Sequence, residues 1–274
     1  MLNIPAAVGL LTPMSGGEEG GGYVPPTISE FFPAQVIGSD TWWGLTRIDL
    51  IALLMTGLLV LFFLSAFRKP TIVPGKLQNL GEMALDVVYV NVIDEVMGVK
   101  GRRFAPLLVT LFWIILAFNV TGILPMMHIA VTSVVAFPII FAIASYVTFI
   151  WAGIKEHGVG PYFKMNLFPP GVPKPIYLLV TPIEFISTFI LRPVTLTIRL
   201  LANMMSGHLL LVLFFGATSY FLFESSGAIM LAAIPSYLMG LAFVFFEVIV
   251  TLLQAYIFTL LTAVYIDGAT SHEH

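Results

Sequence analysis

The chain has 274 residues, 58% of them hydrophobic and 10% charged, with a formal net charge of −3 and no cysteine. Soluble domains carry about 25% charged residues, so this composition is that of a polytopic membrane protein. The absence of cysteine excludes disulfides, thiol catalysis and Cys-ligated zinc or iron–sulfur sites.

Residues 1–45 read as a flexible outer tail. Residues 1–40 hold no Lys or Arg, and Gly20-Gly21-Gly22 with Pro25-Pro26 break regular structure. A cleaved signal peptide needs a basic start, so none is expected. Residues 46–274 read as a single all-α membrane domain. A helix crosses the hydrocarbon core in about 20 residues, and apolar runs give spans of about 49–67, 104–125 and 129–153, uncharged except for Asp49 at the edge of the first.

Between the first two runs, residues 77–97 mix apolar positions with Gln78, Glu82, Asp86, Asp94 and Glu95. That segment is too polar to span. It reads either as a helix along the cytoplasmic interface or as one packed against the protein.

After the third run the chain has two stretches without a loop, 176–223 and 228–267. At ~1.5 Å per residue each makes a helix of roughly 60–70 Å, about twice the hydrocarbon core. Two long, strongly tilted helices in hairpin are expected. Pro182 and Pro193 are kink points in the first, Glu224-Ser-Ser-Gly227 is the turn, and Pro235 suits an early turn of the second.

Basic residues set the expected orientation. Arg68, Lys69, Lys76, Lys100, Arg102 and Arg103 lie between the first two runs, and Lys155, Lys164 and Lys174 follow the third. The turn around Pro125-Met-Met-His128 has none, and Arg47 alone lies on the other side. The positive-inside rule therefore puts the N-terminus outside and the C-terminus in the cytoplasm of a cell-membrane protein.

The remaining two basic residues are Arg192 and Arg199, inside an apolar stretch. A guanidinium stays protonated in proteins, and at mid-membrane it costs roughly 2.5–3.5 kcal/mol on insertion scales. Such a charge marks an ion path with a carboxylate partner, although Arg192, nearer the helix start, also fits a snorkelling arginine. Thr188, Arg192, Thr195, Arg199, Asn203 and Ser206 recur at steps of three and four. They form one polar stripe that faces another protein or water.

His208 lies nine residues past Arg199 and so on the opposite face. Glu247, Thr251 and Gln254 share a face of the second long helix. In a hairpin turning near residue 225, His208 and Glu247 sit at similar distances from the turn and pair, as a proton relay or as a buried ion pair. Glu184 is either a path carboxylate or an interfacial one, and the same holds for Asp49 at the outer edge of the first span. Asn119 is a weaker candidate, and His128 reads as a loop histidine. No paired-His spacing suggests a metal, and no nucleophile–base set, Gly-rich phosphate loop or cofactor motif is present.

Arg199-Leu-Leu-Ala-Asn203-Met-Met-Ser-Gly207-His208, with Arg192-Pro-Val-Thr-Leu upstream, resembles the signature of subunit a of the F-type ATP synthase. The run Leu253-Gln254-Ala-Tyr-Ile-Phe-Thr-Leu-Leu-Thr-Ala-Val-Tyr265 resembles the family's second signature. Pro74-Gly-Lys76, Asn119 through Leu124-Pro125 and the charged end Glu273-His274 also match. The resemblance spans residues 45 to 274.

It implies a non-catalytic stator subunit with two offset aqueous half-channels that carry protons to and from carboxylates of a c-subunit ring. Its partners would be that ring, the peripheral-stalk b subunits, the rest of the synthase and membrane lipids, with no cofactor and no nucleic acid. Arg199 matches the family's essential arginine, Gln254 the glutamine facing it, and Asn203 the asparagine one turn beyond. His208 and Glu247 stand where the family often has a Glu and a His in reverse order. Asp49 falls where an acid is usual at the first span's outer edge. Glu184 sits close to a carboxylate of the cytoplasmic path, although one residue inserted before Arg192 loosens that match. Gly122 stands where some members have an acid, so no proton role carries over there. The alternative is a proton-coupled secondary transporter or antiporter-like subunit, which would favour inverted repeats. None is visible in the sequence.

Overall fold

The computed structural model describes residues 35–37, 44–124, 127, 129–168 and 176–271. Nearly all of the expected tail, His128 and the Glu273-His274 terminus lie outside the described residues.

Among the described residues five helices are long and apolar enough to cross a membrane: Arg47–Ala66, Gly98–Val120, Ala136–His157, Tyr177–Phe223 and Gly227–Thr270. One departure from an all-helical chain is a two-stranded antiparallel ribbon, β1 (Gln35–Ile37) with β2 (Leu45–Thr46). It falls at the end of the segment read as tail, where β-branched Val36, Ile37 and Thr46 favour extended backbone.

Helix α1 (Arg47–Ala66) starts on a capping box. The Thr46 hydroxyl accepts from the Asp49 N–H, and the Asp49 carboxylate accepts from the Thr46 N–H at 2.9 Å. Helix α2 (Lys76–Val88) follows and runs on as a π-helical segment, Tyr89–Asp94. Its Gly81 lies against Ala66 and Phe67, and the Trp113 indole N–H donates to the Ala84 carbonyl at 3.0 Å. Leu77, Leu80, Met83, Val87 and Val90 form an exposed apolar stripe on another side. The segment is therefore packed on the protein along one face and amphipathic along the rest.

Helix α3 (Ala105–Val120) and helix α4 (Ala136–His157) form the next hairpin. The third span was expected from residue 129, but α4 begins at Ala136. Residues 129–133 instead clasp the end of α3. Thr132 donates to the Asn119 side chain, and Thr121 Oγ1 donates to the Phe118 carbonyl at 2.6 Å while accepting from the Val131 N–H at 3.1 Å. An apolar run thus contained a short 3-10 turn, Val131–Ser133, held by buried hydroxyls. Gly158, with φ of 83°, turns the chain into α5 (Val159–Leu167), whose Tyr162 ring packs over Gly153.

The first long helix is composite: α6 (Tyr177–Phe185), a π-helical segment Ile186–Leu191, then α7 (Arg192–Phe223). Pro193 explains the break. It has no N–H for the carbonyl one turn back, and its ring would clash there, whereas a widened turn moves that carbonyl aside. Pro182 lies inside α6. Gly227, with φ of 70°, turns the chain, and a 3-10 segment, Gly227–Ala232, leads into α8 (Ala233–Thr270), with Pro235 in its first turn. Helix α8 is the hub, packing against α3, α4 and α7. Leu108 and Ile115 of α3, Phe149 of α4 and Phe258 and Ile266 of α8 join the buried core.

Candidate functional site

The site lies along the seam of α7 and α8. Leu196, Leu200, Met204 and His208, at steps of four, are the buried face of α7. On α8 the buried polar positions are Glu247, Thr251, Gln254 and Thr262, with Thr259 beside them. The Asn203 amide donates to Gln254 Oε1 at 2.8 Å and joins the two helices.

One turn further along α7, Gly207 gives Glu247 its place. A Cβ at residue 207 would stand 3.0 Å from Glu247 Oε1, so the carboxylate fills the notch that a glycine leaves. This brings Glu247 to the turn of α7 that carries His208, and both side chains are only 4% exposed. Glu247 Oε2, Thr251 Oγ1 and Gln254 Nε2 are buried without a hydrogen-bond partner among the described residues. Burying such groups dry costs about 1–3 kcal/mol each, and buried water is the usual partner in a polar channel.

The two arginines differ sharply. The Arg192 guanidinium lies 4.9 Å from the Tyr265 ring centroid and 5.9 Å from that of Phe149, in cation–π range. Arg199 is half-exposed and makes no hydrogen bond, ion pair or ring contact among the described residues. On its own helix Val194 and Ile198 stand exposed beside it. A permanently charged group is thus left without a counter-charge at the edge of an apolar surface.

The polar stripe on the first long helix is only partly continuous. Thr195 and Ser206 are exposed and donate back to the Leu191 and Ala202 carbonyls of their own helix. Thr188 is buried, because the π-helical segment before α7 shifts the register. The Asp49 carboxylate is held in the cap of α1, where it also accepts from the Thr46 hydroxyl at 2.7 Å. Glu184 stands half-buried on α6, a helix with no buried residue.

Sequence reading passed over Gly207, Ser145, Thr259 and Thr262. The Thr262 hydroxyl donates to Ser145 Oγ of α4 at 3.1 Å, and both are buried. The signal for Thr262 was available, since Glu247, Thr251 and Gln254 extend through 258 to 262 at steps of three and four.

The family model described as ATP synthase A chain matches residues 50–267. The chain belongs to this family. It is 46% identical over 245 residues to a protein named ATP synthase subunit a from Rhodococcus erythropolis, covering 89% of each chain. A relative of the same name from Frankia alni is 43% identical over 231 residues, covering 84% of this chain and 78% of its own. One from a Nocardioides species is 38% identical over 265 residues, covering 93% and 96%. The chain is accordingly a non-catalytic, proton-translocating stator subunit of the membrane sector of an F-type ATP synthase. A free-standing transporter is not what these relatives are.

Proposed function

We propose that the α7/α8 seam guides protons to and from the carboxylates of a neighbouring c-subunit ring through two offset aqueous half-channels. The observation that carries this reading is Arg199, half-exposed and unpaired beside an apolar membrane surface. A fixed cation in a low-dielectric seam favours an ionised carboxylate opposite it. Each ring carboxylate would lose its proton on reaching Arg199, and the same charge would bar direct proton leakage between the half-channels.

His208 and Glu247 serve as the relay of one half-channel, with Asn203, Thr251 and Gln254 as its polar lining and Gln254 next to the arginine's path. Buried Glu247 Oε2, Thr251 Oγ1 and Gln254 Nε2 favour a hydrated line here. Glu184, near the start of the fourth span, serves the cytoplasmic mouth. Asp49, fixed by Thr46, is a stationary negative charge at the outer mouth. Arg192, Thr195 and Ser206 support the stripe, Arg192 by fixing α7 to Phe149 and Tyr265. Residues 46–274 act as one membrane domain with the N-terminus outside and the C-terminus cytoplasmic. An odd number of spans, five among the described residues, would suit this orientation, in keeping with the basic loops. The b subunits of the peripheral stalk are the further membrane partners.

Cysteine cross-linking tests the ring contact, on a chain with no cysteine of its own. Ile198→Cys or Ala202→Cys, both exposed beside Arg199, should cross-link to a cysteine placed near the ring carboxylate. Val147→Cys, exposed on α4, should not. Cross-linking through Val147→Cys alone would put the ring on another face and refute the reading.

A further inference from the structure

Away from the seam, a cavity of about 260 Å³ opens between the start of α3 and the end of α4, lined by Arg103, Phe104, Trp151, Ala152 and Lys155. It is smaller than the roughly 300–1,000 Å³ of sites that enclose drug-sized ligands. Two cations close its polar side. The Arg103 guanidinium lies 4.8 Å from the Phe104 ring centroid and gives one N–H to Glu156 at 3.2 Å, leaving other donors unused. The Lys155 ammonium sits 4.7 Å from the Trp151 ring centroid and has no carboxylate or hydrogen-bond acceptor among the described residues.

The apolar side is open, with Trp151 54% exposed on a spanning helix. Cations at the ends of two spans, with a tryptophan one turn deeper, mark the headgroup level of a bilayer. A ligand held here is therefore offered a positive pocket for its polar end and an aromatic wall for a chain running into the hydrocarbon. Basic pockets between spanning helices suit anionic lipid headgroups. Glu156 offsets one of the two cations through its ion pair with Arg103, so the pocket keeps a net positive charge.

We propose that this pocket binds the headgroup of an anionic phospholipid, with its phosphate between Lys155 and Arg103 and an acyl chain along Trp151. The site is independent of the proton path, and it would fasten the α3/α4 hairpin to the lipid interface.

Photo-cross-linking in the assembled synthase tests it. The complex is reconstituted in phosphatidylcholine vesicles with a trace of either photoreactive phosphatidylglycerol or photoreactive phosphatidylcholine, and labelled peptides are mapped. Labelling around Trp151 should favour phosphatidylglycerol by roughly fivefold. Lys155→Gln should remove the preference, Lys155→Arg should keep it, and millimolar inorganic phosphate should leave it unchanged. Lys155 is exposed, so neither variant disturbs the fold. Equal labelling by the two lipids, or a preference that survives Lys155→Gln combined with Arg103→Gln, would overturn the proposal. Loss of the preference in phosphate would make the pocket a free-anion site and overturn it too.

Discussion

The Asn203 side-chain amide on α7 donates a hydrogen bond to Gln254 Oε1 on α8 at 2.8 Å, one turn beyond the unpaired Arg199. The bond ties the arginine's helix to the polar face of α8 and sets where the glutamine amide points. Asn203→Leu should strand Gln254 in a buried seam at a cost of about 1–3 kcal/mol. We expect lower thermal stability of the membrane sector and slower ATP-driven proton pumping. A double-mutant cycle with Gln254→Leu should return a positive coupling, as for residues in direct contact. Additive losses would mean that the bond does not operate in the assembled complex.

Gly207 makes a sharper test. A Cβ there meets Glu247 Oε1 at 3.0 Å, close enough that the carboxylate must move. Because the atom ends a flexible side chain, Gly207→Ala should still assemble. A displacement of about 1 Å costs up to ~100-fold in rate; the carboxylate here need give by less, so passive proton conduction should fall by a smaller factor. Shortening the acid by one methylene, with Glu247→Asp in the Gly207→Ala background, should recover part of the loss. Proton flux through inside-out vesicles measures both.

The spans and their polar faces were legible because helices write their faces at steps of three and four. Glu247, Thr251 and Gln254, all buried on α8, are one such row. Counting from a turn near residue 225 put Glu247 at the level of His208, and the structure sets Glu247 against the adjacent Gly207. Gly207 was not legible, because a glycine's meaning depends on what the opposite helix carries. The start of α4 was misread because Val131 and Val134 look like membrane residues, while the Asn119–Thr132 bond that ends the turn joins residues of two elements. The π-helical segment before α7 leaves no local pattern except Pro193, and its register shift turned Thr188 off the stripe. The unequal fates of Arg192 and Arg199 needed the positions of Phe149 and Tyr265.

Asp49 separates cap from conduction. Asp49→Ala removes the capping box of α1 and should cost about 0.5–2 kcal/mol of stability. Asp49→Asn keeps an acceptor for Thr46, so the complex should stay intact. As a fixed charge at the mouth rather than a carrier, its neutralisation should lower flux only mildly at physiological salt, where screening is strong. Abolished pumping in an intact Asp49→Asn complex would instead make it an obligatory carrier.

Gly153 reports on packing alone. A Cβ there would fall 2.2 Å from the Tyr162 ring, which is itself buried. Gly153→Ala should cost about 1–3 kcal/mol by overpacking. Less complex should accumulate in the membrane, while pumping per assembled complex stays at the wild-type level. A loss per complex would tie the α4–α5 corner to conduction.

The central claim rests on Arg199, and the most direct test is ATP-driven proton pumping in vesicles carrying the whole complex, with Arg199→Ala against wild type. The account predicts that pumping vanishes in a normally assembled complex while its membrane sector leaks protons passively. Pumping that persists with normal assembly would make Arg199 structural and contradict the proposed mechanism.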